Sequence, residues 1–227
     1  MNSINKEFRN FAVKHRGIRS LTVDRYLSKF SQPYVAESRI SPMILEERDM
    51  NMAMMDVFSR LMVDRIIFLG THIDDEVSNI VTAQLLFLES VDKTADIKIY
   101  LNSPGGDIIS GYAIIDTMEY VAPNVGIIVA GCALSMGFVI AAYGEKGKRA
   151  SLKRSKFMLH QPMTGAFGDA TDIAIINAEI QKYKSELAEM LSARTGKTPE
   201  QVLIDMDRDK WMTAQEAKEY GIIDKIL

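Results

Sequence analysis

The feature of this chain that most constrains its fold is a repeated order of elements, in which an apolar strand, a turn and a helix follow one another three times. The strands are predicted at RIIFLG (65–70), DIKIYL (96–101) and VGIIVA (125–130). Helical patterns of apolar residues come between and after them, most clearly in IISGYAIIDTMEYV (108–121). Because strands separated by helices pair side by side in one direction, the sequence predicts an α/β protein with a twisted parallel sheet.

Further elements are expected on both sides of this repeat. The sequence predicts a short amphipathic helix at 53–63 and a strand at KFMLHQP (156–162). A long helix at 171–195 follows the glycine-rich MTGAFGDATD, and TAQE, which begins at Thr213, is a capping box for a last short helix. The long helix either packs across the sheet or projects to contact another subunit, and its pattern alone leaves both open.

Composition excludes several classes of protein. The chain has 227 residues, enough for one domain with a full core, and no apolar run approaches the roughly 18 residues of a membrane span. The single cysteine, Cys132, excludes internal disulfides and is typical of a reducing compartment. The three histidines, His15, His72 and His160, lie far apart in sequence, so no metal site is expected.

Charge divides the chain unevenly. Residues 1–31 carry seven Lys or Arg and two acidic residues, a net +5, whereas the remainder carries 20 basic and 28 acidic residues, a net −8. A basic leader can bind nucleic acid or a membrane surface, or can be a segment removed during maturation. The acidic body and the absence of interleaved aromatic and basic residues favour removal, so we expect residues 1–40 to be a leader, with neither nucleic acid nor membrane as a partner.

Ser135, in GCALSMGF (131–138), is the most interesting polar residue, because it interrupts a buried strand-to-helix passage. It is either a small packing or capping residue or a nucleophile on a rigid turn. Ala133 stands where the G-x-S-x-G nucleophile motif requires glycine, so the motif alone is weak. Cys132, one helical turn earlier, is an alternative nucleophile, and His160 at a strand end is a candidate base.

The partners of such a nucleophile remain open at this stage. A Ser–Lys dyad with Lys153 or Lys156 is conceivable. The downstream carboxylates that could orient a histidine are Asp169, Asp172, Glu179, Asp205, Asp207 and Asp209. The turn SPGGD lacks the sequence of a phosphate-binding loop, which predicts no nucleotide site, but Gly105 and Gly106 leave backbone N–H groups free to approach a substrate oxygen.

Four longer segments together resemble one known family. They are NSPGGDIISGYAIIDTM, GCALSMGF, KFMLHQPMTGAFGDATDI and MDRDKWMTAQEAKEYGIIDKIL, and they occur in the order and spacing of the proteolytic subunits of Clp protease, the ClpP family. The resemblance runs from Ser41 to Leu227, which predicts a protease domain at 41–227 after the leader at 1–40.

The resemblance implies a self-compartmentalised serine endopeptidase. Its Ser–His–Asp triad falls on Ser135, His160 and Asp209, and its oxyanion hole on the backbone N–H groups of Gly106 and Met136. The implied substrates are peptides and unfolded polypeptides. No cofactor is expected in this chain, and ATP would be used only by a partner.

The resemblance also implies a fold and an assembly. The fold would be a crotonase-like α/β spiral of ββα and βαβ units, and residues 163–195 would form a protruding handle that joins two heptameric rings. An AAA+ unfoldase such as ClpX, ClpA or ClpC would dock on the ring face, where Tyr100 matches an aromatic docking position. The implied location is the bacterial cytoplasm, with the mitochondrial matrix or a plastid as alternatives.

Some residues depart from the family pattern. Asn51-Met52-Ala53 replace a usual Gly-Glu-Arg run, and Leu134 and Phe138 replace small alanines beside the serine, which predicts a narrowed neighbouring pocket. Two rival hypotheses are a crotonase-like acyl-CoA enzyme, which uses paired N–H groups without a triad, and a ring subunit that has lost catalysis.

Overall fold

A computed structural model describes residues 43–48 and 51–227, which fall into two compact units that divide between Asp56 and Val57. The predicted leader at 1–40 lies outside the described residues. In the first unit, β1 (Met43–Arg48) pairs antiparallel with β2 (Asn51–Asp56).

The second unit alternates strands with helices along the chain. Its strands are β3 (Ile66–Leu69), β4 (Ile97–Ser103), β5 (Val125–Leu134), β6 (Arg149–Ser151), β7 (Lys156–Leu159), β8 (Lys210–Thr213) and β9 (Lys225–Ile226). Its helices are α1 (Val57–Val63), α2 (Asp75–Val91), α3 (Ile108–Tyr120), α4 (Met136–Tyr143), α5 (Ala170–Thr195), α6 (Pro199–Asp205) and α7 (Ala214–Tyr220).

The first predicted helix begins later than its sequence pattern indicates. Residues 53–56 belong to β2, and the helix comprises only Val57–Val63. Ala and Met favour helices, but pairing with β1 overrides that weak preference, because each ladder bond satisfies a backbone group. The prediction of a helix at 53–56 was therefore wrong.

The sheet of the second unit is mostly parallel. Its strands follow the order β3-β4-β5-β6-β9, while β7 pairs parallel with β5 and antiparallel with β8. This confirms the α/β prediction with a parallel sheet, to which the antiparallel β7–β8 pair is added. Strands β6, β8 and β9 are too short for their sequence patterns to be distinguished from loops.

Strand β5 changes partner along its length, and this change positions the segment that carries Ser135. Residues 127–129 pair with β6, whereas residues 132–134 pair with β7. Between them Gly131 has a φ of 123°, and the Asn102 side chain accepts a hydrogen bond of 3.0 Å from the Cys132 N–H. The strand therefore continues four residues past its predicted end at 130 and leads directly to Ser135.

Several helix boundaries agree with their sequence signals. The Asp74 side chain caps α2 by accepting from the Val77 N–H, and Thr213 with Glu216 forms the predicted capping box of α7. Gly196 ends α5 in the left-handed conformation.

The described residues leave helix α5 largely exposed. Its buried residues, Leu187, Ala188 and Leu191, lie toward its C-terminal end. Ile175 is 62% exposed, and Phe167, just before the helix, is 95% exposed. Among the described residues, the C-terminal half of the long helix therefore packs on the core, and its N-terminal half is exposed.

Candidate active site

Ser135 lies on a sharp turn between β5 and α4. It has φ 52° and ψ −121°, a region that residues other than glycine rarely adopt. Its N–H donates to the Met158 carbonyl at 2.9 Å, and its own carbonyl accepts from the Phe138 N–H at 2.9 Å. Its side chain makes no capping bond to α4, so the hydroxyl is left to other partners.

His160 is brought to this hydroxyl by the pairing of β7 with β5. Leu134 lies opposite Met158 in that parallel pair, so the residues that follow both strands meet at one edge of the sheet. The His160 Nε2 atom lies 2.8 Å from the Ser135 Oγ. The imidazole is therefore within hydrogen-bond reach of the serine hydroxyl.

Asp209 reaches the other side of the same imidazole. Lys210 lies opposite Leu159 in the antiparallel pair of β8 with β7, so Asp209 stands across from His160. Its Oδ1 lies 3.2 Å from the His160 Nδ1, and 60% of its side chain is exposed. An acceptor at Nδ1 favours the tautomer whose proton is on Nδ1, which leaves Nε2 free to accept the serine proton.

The other acidic candidates have different surroundings. Asp205, whose side chain is 9% exposed, accepts from the Lys210 ammonium at 2.6 Å and the Tyr220 hydroxyl at 2.9 Å. Burial raises the pKa of Asp205, but these hydrogen bonds outweigh burial and hold the pKa below its ordinary value. Asp205 is thus committed to a structural ion pair and not to His160.

The remaining acidic candidates lie elsewhere. The Asp207 carboxylate lies 3.9 Å from both the Lys184 ammonium and the Arg208 guanidinium. Asp169 and Asp172 stand exposed at the start of α5, and Glu179, farther along the helix, pairs with Lys182. Of the six carboxylates that the sequence left open, the fold brings Asp209 to the histidine.

The glycine turn before α3 lies against the serine turn. Gly105 and Gly106 have φ values of 93° and 157°. A Cβ on Gly105 would lie 2.6 Å from the Cβ of Ser135, and one on Gly106 would lie 2.0 Å from the Ile73 carbonyl oxygen. Only glycine fits at these two positions, because a side chain on Gly105 would clash with the serine turn and one on Gly106 with the Ile73 backbone.

Two backbone N–H groups near the serine remain available to a substrate. In the described part of the chain, the N–H groups of Gly106 and Met136 donate to no protein acceptor. Both residues line the same cavity as Ser135. Paired, unoccupied N–H donors beside a nucleophile are the arrangement that stabilises an oxyanion.

A cavity of about 280 Å³ opens beside Ser135 and His160, and both polar and apolar residues line it. The apolar lining residues include Ile108, Val139, Ile180, Tyr183, Leu187 and Met206. Leu134 and Phe138 do not line it, and Phe138 is buried with its ring 6.3 Å from that of Tyr220. The prediction that these two residues narrow the pocket was therefore wrong.

Helix α5 contributes to this cavity, which sequence reasoning missed. Ile180 and Tyr183 were recognised as part of an apolar helix face, but no local signal connects that face with residue 135, some 45 positions earlier. Only the tertiary fold brings the helix over the serine.

The alternative nucleophile and bases are poorly placed. The sequence suggested that Cys132 lies in a helix, but the residue lies in β5. Its thiol contacts the Asn102 side chain and the Ser103 carbonyl. Burial raises the pKa of the Cys132 thiol, which disfavours the reactive thiolate. Lys153 and Lys156 are exposed, and the described partner of the Ser135 hydroxyl is His160.

The described residues contain neither a metal-binding cluster nor a helix that could span a membrane. They contain no group of three or more His, Cys, Asp or Glu side chains arranged to hold a metal ion. Among their helices, none combines the length and the hydrophobicity that a transmembrane span requires.

Comparison with known proteins agrees with the geometry. The family model described as Clp protease matches residues 48–227. An ATP-dependent Clp protease proteolytic subunit from Porphyromonas gingivalis is 51% identical over 97% of both chains. Proteins of the same name from Bacteroides fragilis and Bacteroides thetaiotaomicron are 50% and 48% identical over 97% of this chain and 98% of their own.

These matches confirm the resemblance drawn from the four segments, and with it the crotonase-like α/β fold. The chain belongs to the Clp protease family.

Proposed function

We propose that Ser135, His160 and Asp209 are the catalytic triad of this protein, with Gly106 and Met136 as its oxyanion hole. Members of the Clp protease family are serine endopeptidases, so the reaction is peptide-bond hydrolysis. The observation that carries the assignment is the continuous contact from Asp209 through His160 to the Ser135 hydroxyl, at 3.2 and 2.8 Å.

The geometry supports a complete acylation step. The Ser135 oxygen attacks the peptide carbonyl while His160 Nε2 accepts its proton, and Asp209 stabilises the resulting imidazolium. The carbonyl oxygen, now negative, accepts hydrogen bonds from the N–H groups of Gly106 and Met136. His160 then donates its proton to the leaving amine, and the acyl group stays on Ser135.

Deacylation repeats these roles with water as the nucleophile. His160 accepts a proton from the water as it attacks the acyl carbonyl, and returns a proton to the Ser135 oxygen when the carboxylic acid leaves. These steps use only protein groups and water, and we propose that the chain works without a cofactor.

The cavity beside the triad supports a preference for apolar substrate side chains. Its apolar lining from α4 and α5 would bury a medium-sized aliphatic or aromatic group. We expect cleavage after such residues to exceed cleavage after charged ones.

The assembly follows the family. Clp proteolytic subunits form oligomers that act with Clp ATPases, and the names of the relatives include the term ATP-dependent. We propose two stacked heptameric rings joined through residues 163–195, which the exposure of Phe167 and Ile175 supports. An AAA+ unfoldase would use ATP and deliver unfolded chains to the rings, and the cytoplasm is the proposed location.

Covalent labelling tests the nucleophile. Incubation with a fluorophosphonate should modify Ser135, as read by mass spectrometry of proteolytic peptides, because the triad activates this hydroxyl toward phosphorus as it does toward carbonyl carbon. The Cys132→Ala variant should label equally and His160→Ala far more slowly. Labelling elsewhere, or none in an active preparation, would contradict the proposal and would fit an acyl-CoA enzyme of the same fold.

A further inference from the structure

A hydrogen-bonded link connects three separate segments next to the triad. The Gln161 Nε2 donates to the Asp207 carbonyl oxygen at 2.8 Å. The Lys184 ammonium on α5 donates to the Gln161 Oε1 at 2.8 Å and lies 3.9 Å from the Asp207 carboxylate. Gln161 directly follows His160, and Asp207 stands two residues before Asp209.

Lysine determines which way the Gln161 amide points. An ammonium group can only donate hydrogen bonds, so the carbonyl oxygen of the amide must face Lys184. The NH₂ group then faces the Asp207 carbonyl, which can only accept. In the opposite orientation both contacts would be repulsive, so the Lys184 charge fixes the one orientation that ties residue 161 to residue 207.

Few other contacts hold the Asp209 side chain next to the histidine. Asp209 is mostly exposed, and within the described residues its side chain has one hydrogen bond, to His160. On the opposite side the segment is anchored by Asp205, which bonds to Lys210 and Tyr220. The bond from Gln161 to the Asp207 backbone is therefore a second tie, beyond the pairing of Lys210 with Leu159, between the carboxylate segment and the strand end that bears the base.

We propose that Gln161 and Lys184 form a positioning pair that holds Asp209 in line with His160 Nδ1. The inference rests on the triad proposed above and adds residues that touch none of the reacting atoms. Because Lys184 lies on α5, the pair also joins the long helix directly to the geometry of the catalytic carboxylate.

The test replaces Lys184 in the full-length, assembled protein. Lys184→Met keeps the length of the side chain but cannot donate, so Asp209 drifts from the histidine. We expect kcat for a fluorogenic peptide to fall roughly 10- to 100-fold, the usual effect of misplacing a catalytic group by about 1 Å. KM should stay unchanged, because Lys184 does not line the substrate cavity.

Matched variants separate positioning from general effects on α5. Lys182→Met removes an exposed lysine two residues away whose ion pair among the described residues is with Glu179, and this variant should match wild type. Lys184→Arg keeps a donor of the same charge and should recover most of the activity. The double variant Gln161→Met/Lys184→Met should lose no more than the greater single loss, because the two side chains act as one link.

Two outcomes would overturn the inference. One is a kcat of Lys184→Met equal to that of Lys182→Met. The other is a double variant whose fold-loss in kcat equals the product of the losses of the two single variants. Ser135→Ala, measured in parallel, keeps the two proposals distinguishable. If that variant retains cleavage, the triad assignment fails, whereas an inactive Ser135→Ala with an unaffected Lys184→Met overturns the positioning pair alone.

Discussion

Ser135 holds a backbone conformation that costs energy for any residue with a side chain, and the hydrogen bonds around it enforce that conformation. Its N–H is held by Met158 and its carbonyl by the first turn of α4. Strain of this kind persists where it serves a function, here by projecting the hydroxyl away from the strand and toward His160.

Relief of this strain gives a stability prediction. Glycine adopts φ 52° and ψ −121° without a clash, because it has no Cβ. Alanine at this position keeps the clash. We expect the free energy of unfolding of Ser135→Gly to be about 1 kcal/mol higher than that of Ser135→Ala. This difference already includes the extra entropy that glycine loses on folding. Thermal or denaturant unfolding measures the difference, and a less stable Ser135→Gly would show that the turn is not strained.

Asp205 and Asp209 are four residues apart, yet opposite effects are expected from their replacement. Asp209→Asn should lower kcat by about 10⁴, because an amide no longer selects the correct histidine tautomer, and should leave stability unchanged because the side chain is exposed. Asp205→Asn should cost about 1–3 kcal/mol of stability and retain most activity, since it breaks buried hydrogen bonds to Lys210 and Tyr220. Peptide kinetics and denaturant unfolding of both variants check this, and a reversed pattern would refute the assignment.

The sequence identified Ser135 and His160 as candidates, but local pattern alone could not select Asp209. Six candidate carboxylates were left open after the histidine, and what distinguishes Asp209 is its place opposite His160 in the β7–β8 pair. Strand β8 is four residues long, with a pattern too short to predict. Only the family resemblance gave this residue before the structure did.

At the scale of elements, β5 shows both the strength and the limit of periodicity. Its first six residues were predicted as a strand, but Gly131 ends the apolar run, and the sequence gives no sign that the strand continues. Continuation depends on partners far along the chain, because β7 and the Asn102 side chain satisfy the backbone beyond the glycine. The prediction of a helix at residues 53–56 was wrong for the same reason, since pairing with β1 makes these residues part of a strand.

One largely buried ion pair links β6 to the residue just before the short edge strand β9. Arg149, 5% exposed, donates to both carboxylate oxygens of Asp224 at 2.6 and 3.1 Å and to the Ala142 and Gly221 carbonyls. We expect Asp224→Ala to cost about 3–5 kcal/mol, because the guanidinium would stay buried without its counterion. A loss below about 1 kcal/mol in denaturant unfolding would contradict this role.

The same pair predicts a dependence of stability on pH. Burial raises the pKa of Asp224, but hydrogen bonds and charge from Arg149 outweigh burial and hold it below the ordinary value. The contribution of Asp224 is therefore complete above its unfolded pKa of about 3.9 and disappears as the pH falls through the lower folded pKa. The stability gap between wild type and Asp224→Ala should accordingly narrow below about pH 4, and a gap that stays constant down to pH 2 would contradict the linkage.

For the whole molecule, the proposed contact between two heptameric rings depends on the exposed part of α5. Ile175→Asp places a charge on a residue that is 62% exposed in the single chain, so the fold should survive while the contact between rings is lost. Native mass spectrometry should show fourteen copies for wild type and seven for the variant. Ile204→Asp, the same change on an exposed residue of α6, is the control, and an intact tetradecamer in Ile175→Asp would refute the handle contact.

Assembly is the level at which the sequence is least informative. The pattern of α5 left packing and projection equally open, because an apolar face looks the same whether a sheet or a second subunit covers it. The structure shows how little of this helix is buried within one chain, and the family supplies the expectation of rings.

The most direct test of the central claim is the rate of peptide cleavage by the assembled Ser135→Ala protein beside wild type, with equal oligomeric state verified for both. Removing a triad serine leaves only binding and the oxyanion hole, so we predict that kcat falls by roughly four to six orders of magnitude while the complex remains intact. Cleavage retained within about tenfold of wild type would show that Ser135 is not the nucleophile.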